Sequence, residues 1–249
     1  MKHQVFGALI IVSSSFHLSI ACSEEVADYA PLIRPLLIEK VPNSQIFYSI
    51  GSPGIPGMEN QGNTSNAGFV ITSDGVVVFD ALGMPSLGWA LLQEIRKRTN
   101  LPVKYVVTSH YHADHIYGLQ AFKDHTDAPI VAQDRAFKYN ENEETSDERA
   151  AERLGQRRSA LEPWVNDETR VVMPDITFND RVTIGMSKTK FSLIYTGPAH
   201  SGSDIMMLVQ PDGLLFAGDI VQNGRIPFMN SDDVSTSKWL GSGPIKSVA

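Results

Sequence analysis

Cysteine is all but missing: Cys22 is the single one in 249 residues, so no internal disulfide can staple the chain, whatever compartment it occupies. Basic charge is in deficit as well. Twenty-one lysines and arginines stand against 28 acidic residues, a formal net charge of −7. A nucleic-acid partner demands a basic face to neutralise phosphates, and this balance argues against one. No apolar run is long and unbroken enough to span a bilayer, the best, Val5–Ile20, being interrupted by Ser13–Ser15 and His17. A Gly-x-Ser-x-Gly elbow is also absent, which removes the commonest serine-nucleophile arrangement.

What is present is an ordinary globular composition. With 42% hydrophobic residues over 249 positions, one good core is affordable and a single larger domain is expected rather than two. The first 22 residues read as an export signal: Lys2 and His3, then the apolar run, then Ser19 and Ala21 at the small-residue positions before a cleavage point at Cys22. Leu18-Ser19-Ile20-Ala21-Cys22 also resembles a loose lipobox. Two outcomes stay open, a plain cleaved periplasmic protein or a lipoprotein anchored to a membrane through Cys22. Residues 23–43, interrupted by Pro31, Pro35 and Pro42, form a weakly structured lead-in, and residues 44–249 form the domain.

Within that domain, runs rich in Val, Ile and Phe predict strands over Gln45–Ile50, Gly68–Ile71 and Val76–Phe79, with Ser73-Asp74-Gly75 as the hairpin turn. The Gly- and Pro-rich stretch 51–60 is a loop whose Ile55 and Met58 suit a lid over a substrate. Leu87, Leu91, Leu92 and Ile95 recur at helical spacing behind Pro85, predicting a helix to Arg98. A strand over Lys104–Thr108, a helix from Tyr117 to Lys123, a strand over Pro129–Ala132 and a charged helix over Glu141–Leu161 follow. Six further strands are expected: Val171–Met173, Ile176–Phe178, Val182–Ile184, Phe191–Tyr195, Ile205–Gln210 and Leu214–Ala217.

The densest chemistry lies directly after the Lys104–Thr108 strand. His110-Tyr111-His112-Ala113-Asp114-His115 packs three imidazoles and a carboxylate into six residues, and these are ligands that zinc accepts. Two later residues have weaker signals of the same kind. His200 stands in the turn Thr196-Gly197-Pro198-Ala199-His200-Ser201 after a strand, and Asp219 ends Phe216-Ala217-Gly218-Asp219. Each alone suits an ordinary turn. Together with the cluster they read as distant ligands brought to one end of the sheets.

The H-x-H-x-D-H pattern formed by His110, His112, Asp114 and His115 resembles the motif of the metallo-β-lactamase superfamily, and the likeness runs from about residue 44 to about residue 240. It implies an α/β fold, a four-layer αββα sandwich with the site at one edge between two sheets. It implies that His110, His112 and His200 hold one zinc ion, and that Asp114 and His115 hold a second, with Asp219 bridging. The tract from Gly218-Asp219-Ile220-Val221 to Gly224-Arg225-Ile226-Pro227 further resembles exported hydrolases associated with sulfur oxidation and the zinc metallohydrolases of quinoprotein relay systems.

Two departures shape the expectation. No cysteine stands near Asp219, which excludes the subtype with a cysteine ligand. No histidine follows His200, and the sequence closes on Leu240-Gly241-Ser242-Gly243-Pro244 and five further residues without helical period, so the chain reads as a truncated or frame-shifted copy lacking the last strand and helix. The second metal is then short of a ligand unless His125 or Asp204 supplies it. The implied activity is zinc-dependent hydrolysis of a small-molecule ester, thioester, lactam or lactone, with one or two zinc ions and Asp114 as the catalytic proton acceptor. Two alternatives are a truncated copy that binds metal without activity, and a periplasmic β-lactamase of the type without a cysteine ligand.

Overall fold

A computed structural model of the chain describes residues 29–139, 146–223, 227 and 234–242. The expected export signal with Cys22, the beginning of the lead-in, residues 140–145, Gly224-Arg225-Ile226, residues 228–233 and the tail from Gly243 lie outside the described residues.

Two sheets pack face to face. The larger has seven strands in sequential order: β1 (Glu39–Lys40), β2 (Ile46–Ser49), β3 (Ala67–Thr72), β4 (Gly75–Phe79), β5 (Val103–Val107), β6 (Ile130–Gln133) and β7 (Ile176–Phe178). Its first four strands run antiparallel, and β4 to β7 are parallel to one another. Parallel neighbours require crossovers. These are supplied by helix α1 (Pro85–Arg96), by the pair α2 (Ala113–Ile116) and α3 (Leu119–His125), and by α4 (Ser146–Leu161). The smaller sheet has four strands in the order β11 (Leu214–Phe216), β10 (Ile205–Gln210), β9 (Thr189–Tyr195) and β8 (Arg181–Met186), all antiparallel.

Strand β4 shows why the layers form. Its sequence Gly-Val-Val-Val-Phe has no polar face, and every residue is buried. Val76 and Val78 face the helices, where Leu87, Leu91, Leu92 and Ile95 of α1 meet them, while Val77 and Phe79 face the second sheet. Period-two alternation thus divides one apolar strand between two cores. Between the sheets, Phe191, Leu193 and Met207 answer from β9 and β10, each fully buried, and each contributes roughly 1.5–3 kcal/mol of burial. On the outer face of the smaller sheet Met206, Leu215 and Ile220 gather against Trp239 of α5 (Thr236–Ser242). Helices, sheet, sheet and helix are the αββα order expected.

Local expectations fared unevenly. Val171–Met173 forms no strand: Pro174 cannot donate to a ladder, and the sheet edge is reached only at Ile176, where β7 pairs with β6. The helix expected from Tyr117 begins at Ala113, inside the histidine motif, breaks at Gly118 and restarts at Leu119. Helix α1 ends two residues early, at Arg96. The lead-in has no regular structure from residue 29 to residue 38, yet it packs. Leu36 is buried, the Trp164 indole donates to Pro31 O at 2.9 Å, and the Tyr29 hydroxyl donates to Asp124 Oδ2 at 2.6 Å.

Candidate metal centre

Ligand sites in open α/β sheets form where parallel strands end at their carboxyl edge. Here β4 and β5 end side by side, delivering Asp80 and the Ser109–His115 stretch to one place, with Asp80 N–H donating to Val107 O at 2.8 Å. The smaller sheet is stitched to the same loop, since Ile205 N–H donates to Ser109 O at 2.9 Å. His200 arrives on the connection between β9 and β10. That loop is wound round Asp204, whose carboxylate accepts from Ala199 N–H (3.0 Å), Ser201 N–H (2.7 Å) and Ser201 Oγ (2.6 Å). Asp219 arrives on a single 3₁₀ turn after β11. Gly218 enters that turn at φ +56°, and a Cβ there would stand 2.7 Å from Ser109 Cβ, so the close approach requires glycine.

Three imidazole nitrogens converge. His112 Nδ1 lies 3.1 Å from His110 Nε2 and 2.9 Å from His200 Nε2. A second set shares His110 and adds His115 and Asp219, with His115 Nε2 3.4 Å from Asp219 Oδ1 and His200 Nε2 3.6 Å from Asp219 Oδ2. Ligand nitrogens about 2.0–2.1 Å from a tetrahedral zinc lie roughly 3.3 Å apart, so the trio has the spacing such an ion imposes. The donor chemistry agrees. Burial, then the neighbouring His115 and His112, hold His110 well below the usual imidazole range, and burial with His200 brings His112 down to about 4. Both rings are neutral at pH 7, with lone pairs available to a cation.

His115 is different. Burial opposes its protonation, but Asp80 and Asp219 on either side outweigh that and raise it well above the usual range. Asp219 responds in kind, burial pushing it up and His115 holding it well below the ordinary carboxylate value. Asp114 sits at the rim with its side chain 24% exposed and its Oδ2 4.0 Å from His115 Nε2, outside both donor sets. Its backbone carbonyl accepts from Ser65 Oγ.

The sequence match now has its geometry beside it. Residues 61–243 match the family model of the metallo-beta-lactamase superfamily. The chain belongs to that superfamily. Among solved structures it is similar to the metallo-beta-lactamase from Pontibacter korlensis, with 19% identity, a TM-score of 0.59, and 83% of this chain and 82% of that one covered. It is also similar to metallo-beta-lactamase IND-7, with 17% identity, a TM-score of 0.59, and 85% and 84% covered. The B3 metallo-beta-lactamase BLEG-1 follows with 19% identity, a TM-score of 0.55, and 78% and 82% covered. At such identities the likeness is one of fold. No curated protein sequence matches the chain.

Two residues of this superfamily member escaped sequence reasoning. Asp80 is 1% exposed and holds the loop: Oδ1 accepts from Ser109 N–H at 2.7 Å, and Oδ2 from Ser109 Oγ and His115 Nδ1, each at 2.8 Å. Ser109 Oγ also lies 2.8 Å from His110 Nδ1. The Asp80–Ser109 pair therefore engages the Nδ1 atoms of both histidines and turns their Nε2 atoms toward the centre. The available signal was an acidic residue ending a wholly apolar strand. The two residues held in reserve do not join the site: Asp204 is occupied by its loop, and His125 stacks on Trp89, ring centroids 4.3 Å apart.

Proposed function

We propose that this chain is a zinc-dependent hydrolase of carbonyl-type bonds, in the ester, thioester, lactam or lactone class. The observation that carries the reading is the trio His110, His112 and His200, whose ring nitrogens all lie within 4.8 Å of one another at a sheet edge, two of the pairs at 3.1 and 2.9 Å. When bound, zinc supplies a Lewis acid and lowers the pKa of water from 15.7 to about 7.

The protein's own residues do the rest. His110, His112 and His200 would hold the ion, and Asp80 with Ser109 keeps the His110 and His115 rings in register. Asp219, between His115 and His200, offers one carboxylate oxygen to each side. Asp114, partly open to solvent at the rim, accepts the proton of the attacking water and returns it to the leaving group. The lid role for residues 51–60 fits their exposed Ile55 and Met58. The acidic charge and the N-terminal export pattern support a periplasmic small-molecule enzyme of the accessory-hydrolase type over a nucleic-acid enzyme.

The test is a panel of chromogenic esters, thioesters, lactones and a cephalosporin, assayed with zinc-loaded protein, with chelator-treated protein and with His110→Ala. Turnover of at least one class is expected, removed by both treatments. Activity unaffected by chelation and by His110→Ala would contradict the reading.

A further inference from the structure

Beside the metal centre lies a cavity of about 380 Å³ that no step above uses. It runs along the outer edge of β11, between that strand and β2, and its two ends differ in chemistry. Asp80, His115 and Asp219 form one end. Val41, Ile46, Phe79, Phe216 and Val221 wall the remainder. Among the described residues no lysine or arginine lines it, its polar members besides that end are Tyr48, Ser49 and Asn66, and the two aspartates repel an anion entering there. Val221 and Ile50 at its margin are 64% and 62% exposed, large apolar side chains left in water beside an apolar hollow.

We propose that this cavity is the subsite for the acyl group of an uncharged, medium-chain carboxylic ester or thioester, an inference that rests on the hydrolase reading and narrows it. The volume decides the size. An apolar cavity of about 150 Å³ holds benzene, so this one takes a chain or ring well beyond acetyl, near the lower bound for small-molecule pockets. The polarity decides the orientation. The carbonyl lies at the end formed by His115 and Asp219, and the chain extends along β11 past Ile46 and Phe216. In the reaction the oxygen of water bonds to the acyl carbon, the bond from that carbon to the alcohol oxygen or thiol sulfur breaks, and one proton goes to the departing group. Water is the only co-reactant.

Binding and turnover test it separately. Calorimetric titration of the metal-free protein with hexanamide and acetamide should show hexanamide roughly fifteenfold tighter or more, since each of four added methylenes contributes a factor of roughly two to four when buried, with a negative heat-capacity change. Hexanoate should bind the metal-free protein more weakly than hexanamide. Val41→Trp, checked for native circular dichroism, should abolish hexanamide binding by filling the hollow. With zinc loaded, kcat/KM across p-nitrophenyl acetate to decanoate should climb by the same factor per methylene and then level off. Hexanamide binding no tighter than acetamide, or unchanged binding in folded Val41→Trp, would overturn the subsite. Ester turnover indifferent to chain length would overturn it while leaving the hydrolase reading intact. Hexanamide binding without turnover of any ester, thioester, lactone or lactam would instead overturn the hydrolase reading.

Discussion

A buried carboxylate with φ +63° is an expensive choice of residue, and Asp80 shows what the expense supports. It accepts from a backbone N–H, a hydroxyl and an imidazole at once, so it sets where two metal-binding rings point. Asparagine tolerates the left-handed backbone but has one acceptor oxygen where Asp80 has two. We predict that Asp80→Asn folds and that its zinc affinity, measured by competition with a chelating dye, falls roughly 10–100-fold, as for other groups that orient metal ligands. At Asp114 the expected outcome differs in kind. Asp114→Asn removes the proton acceptor without touching either donor set, so turnover should drop by about 10²-fold or more while zinc content stays unchanged. Unchanged turnover on a confirmed substrate would show that Asp114 has another role.

At the scale of elements, the metal loop is held by a contact between helices with no spare room. A Cβ on Gly118 would stand 1.8 Å from Ala81 O, and one on Gly88 of α1 would stand 2.1 Å from Gly118 O. The same strip carries backbone bonds from Ala81 N–H to His115 O and from Gly118 N–H to Leu82 O, both 3.0 Å. Gly118→Ala should therefore destabilise by about 3 kcal/mol or more, read from the urea midpoint. Gly155, inside α4 with nothing within 4 Å of its would-be Cβ, is the control, where alanine should stabilise by roughly 0.5–1 kcal/mol. The lead-in gives a pH-dependent case. Burial would raise Asp124, but hydrogen bonds from Arg170 and Tyr29 outweigh it and lower its pKa. A depressed folded pKa contributes stability above the unfolded value of about 3.9 and loses it as pH falls through the folded value. The pair is partly exposed, so Asp124→Asn should cost less than about 1 kcal/mol in urea unfolding at pH 6, and progressively less as pH falls through the folded value.

Legibility from sequence followed the same scales. The His110–His115 stretch stands out in sequence because its candidate ligands are neighbours, and the structure brings His200 and Asp219, each following an apolar strand into a turn, to His110, His112 and His115. Asp80 was not, since its role exists only when β4 and β5 lie parallel and bring residues 80 and 109 together. Val171–Met173 misled because apolar content alone does not supply a neighbouring strand. The αββα order was legible through the recognised motif, whereas the division of β4 between two cores depends on tertiary packing.

For the whole molecule, the two donor sets share His110, and an imidazole nitrogen has one lone pair to give. One ion held by His110, His112 and His200 leaves only His115 and Asp219 from the other set, with Asp114 at the rim. One tight zinc per chain is therefore expected, with a second that dialysis removes. Elemental analysis after zinc incubation and exhaustive dialysis, on the wild type and on His110→Ala, tests this most directly. The expected result is about one zinc per wild-type chain and none in the variant. A folded wild-type protein that retains no zinc, or a His110→Ala variant that retains its full complement, would contradict the central claim.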